Sequence, residues 1–253
     1  MTAAWQPPPA ELALDGADVH VWRVALDPPA ERVAALARTL DDDERARAAR
    51  FHFDRDRTAF TVARGALRTL AGRYLGESPA RLRFGYRDRG KPYLLAPPVE
   101  PPGQLRFNVS HSGKLALLCF ARDREVGVDI EHRRPLSDLL GLAHTAFSPP
   151  EYAALCRLPP AAHERAFFAC WSRKEAFIKA TGEGVAQLAA FEVSLAPGEP
   201  ARLVRVDGEP SGRWSLHELP AIPDYAAALV VEASAHAAFR LACWDGPLDD
   251  PPR

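Results

Sequence analysis

Apolar residues along the chain recur with two periods, and the switches between them mark the elements. From Asp41 a helical spacing of small and apolar residues runs through DDDERARAARFHF and FTVARGALRTLAGRYLG, opening on acidic residues and closing on glycine, which predicts one long helical stretch. The short runs LRFGY, RFNVS, LALLCF and VGVDIE follow and predict strands. The second half repeats this order: SPPEYAAL and ERAFFACWSRKEAFIKATGEG as helices, then FEVSL, RWSLHEL, YAAALVV and FRLACW as strands. Laying DRTAFTVARGALRTLAG over ERAFFACWSRKEAFIKATG aligns two helices rich in aromatic and small residues, each ending in glycine. The expected fold is therefore α+β, with two pseudo-symmetric lobes, each a small antiparallel sheet packed with a long helix. The lobes are expected at 18–125 and 126–244, with loosely ordered proline-rich segments at 1–17 and 245–253 and a surface loop at APPVEPPG, 96–103.

Composition adds exclusions. With 253 residues, 47% apolar and 26% charged, the chain is long enough for one large or two smaller cores and is typical of globular proteins. A net charge of -1 gives no global reason to expect nucleic acid or an anionic membrane as partner. Cys119, Cys156, Cys170 and Cys243 are far apart and form no C-x-x-C pair, which speaks against a zinc knuckle or dithiol centre and for a reduced compartment. The longest apolar run, LALLCFA, falls well short of the ~18 residues of a membrane span, and the N-terminus lacks a signal-peptide pattern. A cytoplasmic chain is expected.

Three stretches carry chemistry. In REVGVDIEHRRP, Val126, Val128 and Ile130 alternate with Gly127, Asp129 and Glu131, so a strand presents both carboxylates on one face, roughly 7 Å apart. Such a face either points to water or shares a hard divalent cation. In WSRKEAFIKATGEG, Glu175 and Lys179 stand at i and i+4 of a helix, the spacing of a surface ion pair. Glu175, however, borders the stripe of Phe168, Trp171, Ile178 and Gly182, and a partly buried acid needs a partner. Lys179 supplies one; a metal shared with Asp129 and Glu131 supplies another. In RFNVSHSG, Ser110, His111 and the following turn offer donors to phosphate oxygens, with Ser110 and His111 on opposite faces and no G-x-S-x-G elbow for a hydrolase triad. Lys91 in RGKPYL reads as a turn lysine, and Arg45, Arg47, Arg50, Arg64 and Arg68 as either a solvated helix face or an anion site. Together these residues suit metal-dependent chemistry on a phosphate ester or anhydride.

FNVSHSG, VGVDIE and WSRKEAFIKATGEG, in that order, resemble the signature of the 4'-phosphopantetheinyl transferases of the larger, monomeric, pseudo-dimeric class, which modify carrier proteins of polyketide and peptide synthases; GKPYL, FSPPEY and DDERARAARF extend the likeness over roughly 40–184. The resemblance implies that family's two-lobed fold with coenzyme A between the lobes. It further implies Mg²⁺, or Mn²⁺, on Asp129, Glu131 and Glu175; contacts to coenzyme A from Arg47, Lys91, Ser110, His111, Asp129 and Lys179; and catalytic roles for Glu175 and Lys179. The expected reaction moves the phosphopantetheine group from coenzyme A to a serine of an apo carrier protein, releasing adenosine 3',5'-bisphosphate. The segment 144–158 is a candidate carrier-docking surface. The alternatives are a metal-dependent pyrophosphatase of coenzyme A or nucleotides, and a non-catalytic coenzyme A-binding pseudo-enzyme.

Overall fold

The computed structural model describes residues 4–87, 90–95, 103–182, 185–206, 212–233 and 238–246. Of the expected loop at 96–103 only Gly103 falls within them, as do only Asp245 and Gly246 of the expected C-terminal tail; Gly184 of the third motif lies outside. The chain divides into two compact units, with the boundary between Asp123 and Arg124.

The N-terminal unit contains β1 (Trp5–Gln6), β2 (Asp18–Ala25), α1 (Ala30–Ala37), α2 (Asp42–Ala49), α3 (Asp54–Leu75), the hairpin of β3 (Phe84–Tyr86) and β4 (Pro92–Leu94), β5 (Leu105–Ser112) and β6 (Leu115–Arg122). The C-terminal unit runs β7 (Val126–His132), α4 (Leu139–Ala146), α5 (Pro149–Arg157), α6 (Pro160–Thr181), the hairpin of β8 (Phe191–Val193) and β9 (Leu203–Val206), β10 (Trp214–Glu218) and β11 (Tyr225–Glu232). A last strand, β12 (Arg240–Asp245), returns to the N-terminal unit.

From β2 and from β7 the order is the same: a strand, two short helices, a 22-residue helix, a small hairpin and two further strands. The sheets agree, with β2-β6-β5 in one unit and β7-β11-β10 in the other, all antiparallel. Both long helices end on a glycine in the left-handed region, Gly76 at φ 66° and Gly182 at φ 78°, where a Cβ would be strained.

Three features depart from the sequence expectations. The helical stretch from Asp41 is two helices, because the Asp41–Glu44 capping box starts α2 and the chain leaves helical geometry around Phe51–Phe53 before α3. The strand in FRLACW does not join the C-terminal lobe: β12 pairs in parallel with β2, and Arg23 to Asp245 and Arg240 to Asp15 and Asp18 clamp both ends. The segment 1–17 is also partly ordered, since β1 pairs with Cys243 and Trp244 and Leu14 is buried in the core.

The core of the N-terminal unit lies between α3 and the sheet, with Trp22, Leu67, Leu70, Phe107, Leu118 and Phe120 buried together. A polar network crosses it: Trp22 Nε1 donates to Tyr74 Oη at 2.8 Å, and Tyr74 Oη also meets His20 Nδ1 at 2.8 Å. Burial lowers the proton affinity of His20 and raises the pKa of Tyr74. In the C-terminal unit, α6 covers β11 and β7 through Ala176, Phe177, Ala180, Ala228 and Val230.

In each unit a buried cation ties the long helix to the capping box of the short helix before it. Arg68 reaches Glu44 Oε2 at 2.5 Å, Asp41 at 2.6 Å and the carbonyls of Pro79 and Leu82, and Arg64 pairs with the same Glu44. Lys174 reaches Glu151 Oε1 and Oε2 at 2.8 and 2.7 Å and Phe191 O at 2.6 Å, while Glu151 also accepts the amides of Ser148 and Val193. Arg64 and Arg68 are therefore interior ion-pair partners and neither a solvated face nor a ready anion site. Breaking such a pair strands the other charge. Lys174→Met should cost about 3–5 kcal/mol in urea unfolding, and adding Glu151→Gln should recover part of that loss.

His20 generates a second prediction. Its native proton affinity is depressed while the unfolded chain keeps the ordinary value of 6.5, so protons bind the unfolded state preferentially below that pH. Its contribution is intact above pH 6.5 and is lost as pH falls. Urea midpoints of wild type should therefore drop more steeply than those of His20→Phe between about pH 6.5 and 5.

Candidate active site

The local structure that builds the site is the crossing of α6 over β7. Gly127 lies under the helix backbone: a Cβ there would overlap the Ala176 carbonyl oxygen and the Ala180 amide. No other residue lets the strand approach so closely. Positions 127, 129 and 131 share one face of β7, and across the ladder they meet Val230, Ala228 and Ala226, of which Val230 and Ala228 belong to the core under α6. The face carrying Asp129 therefore meets the helix and not water.

That geometry changes the reading of both acidic motifs. Asp129 is 1% exposed, so the solvated acidic strand is excluded for this residue. Lys179, in the last turn of α6, places Nζ 2.6 Å from Asp129 Oδ1. The i,i+4 spacing thus delivers the lysine to the strand, while Glu175, one turn back, feels Lys179, Asp129 and Glu131 electrostatically. Burial, followed by the negative charges of Asp129 and Glu131, raises the Glu175 carboxyl above its ordinary range, against the opposing pull of Lys179. Glu131 is half-buried at the end of β7.

Asp129, Glu131 and Glu175 offer carboxylate oxygens, a donor type suited in chemistry to a divalent cation. Among the described residues, no group of three or more His, Cys, Asp or Glu side chains converges on a common point. Lys179 meanwhile stands against Asp129. The donors fit such an ion by type.

The other expected site residues belong to the N-terminal unit. Ser110 and His111 lie near the end of β5, Ser110 buried and His111 exposed as the strand period requires, before a tight turn with Gly113 at φ 57°. Lys91 precedes β4, and its carbonyl accepts the Arg87 amide at 3.0 Å across the hairpin. Arg47 is exposed on α2 with its guanidinium 5.2 Å from the Phe60 ring centroid, whereas Arg45 is held by Asp42 and the Leu40 carbonyl. In the segment 144–158, Phe147, Ser148, Glu151 and Leu155 are buried, leaving His144, Thr145, Cys156 and Arg157 on the surface.

Sequence reasoning did not single out Lys174, Glu151 or Gly127. Each had a signal: S-P-P-E is a capping box, Lys174 is the immediate neighbour of Glu175, and a glycine between valines in a strand marks a close approach. Gly127→Ala should push α6 from β7 and disturb the Asp129–Lys179 pair. A loss of about 2 kcal/mol or more in melting experiments is the expected result, and an unchanged melting temperature would remove the close-approach argument.

Residues 25–122 match the family model described as 4'-phosphopantetheinyl transferase, N-terminal, and residues 125–230 match that of the 4'-phosphopantetheinyl transferase superfamily. The chain is 44% identical over 220 residues to 4'-phosphopantetheinyl transferase HetI of Nostoc sp., covering 87% of this chain and 89% of that protein. It is 32% identical over 180 residues to a 4'-phosphopantetheinyl transferase of Bacillus subtilis, covering 70% and 77%. With 4'-phosphopantetheinyl transferase Sfp of Bacillus subtilis strain 168 it shares 30% identity over 157 residues, covering 62% and 66%. On the strength of both matched regions and the near full-length likeness to HetI, this chain belongs to the 4'-phosphopantetheinyl transferase superfamily.

Proposed function

We propose that the chain transfers the 4'-phosphopantetheine group of coenzyme A to a serine hydroxyl of an apo carrier protein. The observation that carries this reading is the set Asp129, Glu131, Glu175 and Lys179, gathered where α6 meets β7, in a chain whose relatives are named as transferases of this kind. In the reaction the serine oxygen forms a bond to the pantetheine-bearing phosphorus. The bond from that phosphorus to the bridging oxygen breaks, adenosine 3',5'-bisphosphate leaves with the electron pair, and the serine proton must be taken up.

Glu175 is the proposed acceptor. Burial raises its proton affinity, the direction that favours a general base. Lys179 offers a positive charge for the transferring phosphoryl group or the leaving oxygen. Asp129, Glu131 and Glu175 would hold Mg²⁺ or Mn²⁺, which when bound neutralises charge on the pyrophosphate. Ser110, His111, Lys91 and Arg47 are assigned to the nucleotide phosphates as hydrogen-bond and charge donors. His111 and Arg47 are exposed.

The test is intact-mass spectrometry of an apo carrier protein incubated with the full chain, coenzyme A and Mg²⁺, with and without chelator. The expected outcome is the mass gain of one phosphopantetheinyl group, lost with chelator, and lost in Asp129→Ala protein whose circular dichroism spectrum remains that of a folded chain. Cleaved coenzyme A with an unmodified carrier would identify a pyrophosphatase. Bound but intact coenzyme A with no carrier modified would identify a binding protein.

A further inference from the structure

The two lysines of the third motif behave differently. Lys174 is fully buried and closed in by three hydrogen bonds, two to Glu151 and one to the Phe191 carbonyl, which leaves it no route to a ligand. Lys179, five residues on, has a side chain 27% exposed in the last turn of α6, beside the glycine that ends the helix. It neutralises Asp129 at 2.6 Å, and that carboxylate is itself 1% exposed. One lysine is built in; the other sits at the edge of the structure and reaches a carboxylate of the candidate cation site.

A buried carboxylate without a counter-ion is costly, so the metal-free protein needs a positive charge on Asp129. A divalent cation on the same carboxylate would face an ammonium within a few ångströms, and two positive charges so close in a partly desolvated site repel. Lys179 holds Oδ1, so a cation on this carboxylate would bind against the charge of the lysine. We propose that Lys179 is the resident counter-ion of Asp129 in the metal-free protein and competes with the divalent cation for it, so that ion loading releases Lys179 toward the substrate phosphate. This rests on the reading of Asp129, Glu131 and Glu175 as cation ligands. It gives Lys179 two successive partners, first a carboxylate and then a phosphate.

The competition has a signature opposite to that of a simple ligand-binding lysine. Apparent affinity for the ion is reduced by the fraction of molecules in which Asp129 is free, so removing the competitor tightens binding. Binding of Mn²⁺ alone, without coenzyme A, is measured by electron paramagnetic resonance on wild type, Lys179→Met and Asp129→Asn. Lys179→Met is expected to bind Mn²⁺ about tenfold more tightly, as for a state about one-tenth populated in wild type. Asp129→Asn is expected to lose binding.

Equal or weaker binding by Lys179→Met, with binding still lost in Asp129→Asn, would overturn the competition and leave the cation site standing. Mn²⁺ binding by none of the three would overturn the cation site and the competition together. Because Lys179→Met leaves Asp129 without this counter-ion, Lys179→Gln and melting curves with and without Mn²⁺ provide a second measurement. A larger Mn²⁺-induced rise in melting temperature than in wild type supports the proposal; an equal or smaller rise overturns it.

Discussion

The candidate site depends on how closely α6 lies on β7, and that distance is set by what is missing at Gly127. With no Cβ in the way, the helix backbone at Ala176 and Ala180 rests on the strand, and the next inward-facing residue, Asp129, comes within reach of the last helical turn. Small residues complete the fit: Ala228 faces Asp129 across the ladder, and Ala226 faces Glu131. A Cβ at Gly127 would push the helix away and draw the charged groups apart.

A second constraint fixes α6 about its own axis. Lys174 lies eight residues before the glycine that ends α6, and Arg68 lies eight residues before the glycine that ends α3. Each is buried and bonded to the capping-box glutamate of the preceding short helix. Such pairs are weak evidence for stability but strong constraints on geometry, since only one rotation satisfies all the donors. The shared scaffold has diverged in its chemistry: the position matching Glu175 is Thr69, which bonds back to the Gly65 carbonyl, and that matching Lys179 is Arg73, which reaches the Ala10 carbonyl. The glutamate and lysine of α6 therefore have no counterpart in α3.

Much of this was legible in the sequence because it is local. The alternation in VGVDIE placed Asp129 and Glu131 on one face, the stripe through Phe168 and Ile178 set Glu175 at its edge, and the repeated helix ending in glycine announced two similar units. What was not legible depends on partners distant in sequence. Arg68 in a helical pattern reads as a solvated charge, and its burial follows only from Glu44, Asp41 and two carbonyls arriving from other elements. The parallel pairing of β12 with β2 spans more than two hundred residues and carries no turn signal. Asp129 shows the same limit from the other side: its period was right, but whether that face met water or a helix was decided by Gly127 and α6.

The spacing that first suggested a surface pair has a further consequence for the chemistry. A lysine paired with Glu175 in place of Asp129 would hold that glutamate ionised and lower its proton affinity. By reaching the strand, Lys179 neutralises the more buried carboxylate, while burial and the neighbouring acids keep the Glu175 carboxyl raised. The raised carboxyl and the paired ammonium thereby sit on two residues one helical turn apart, because β7 lies close enough to offer the lysine a different partner.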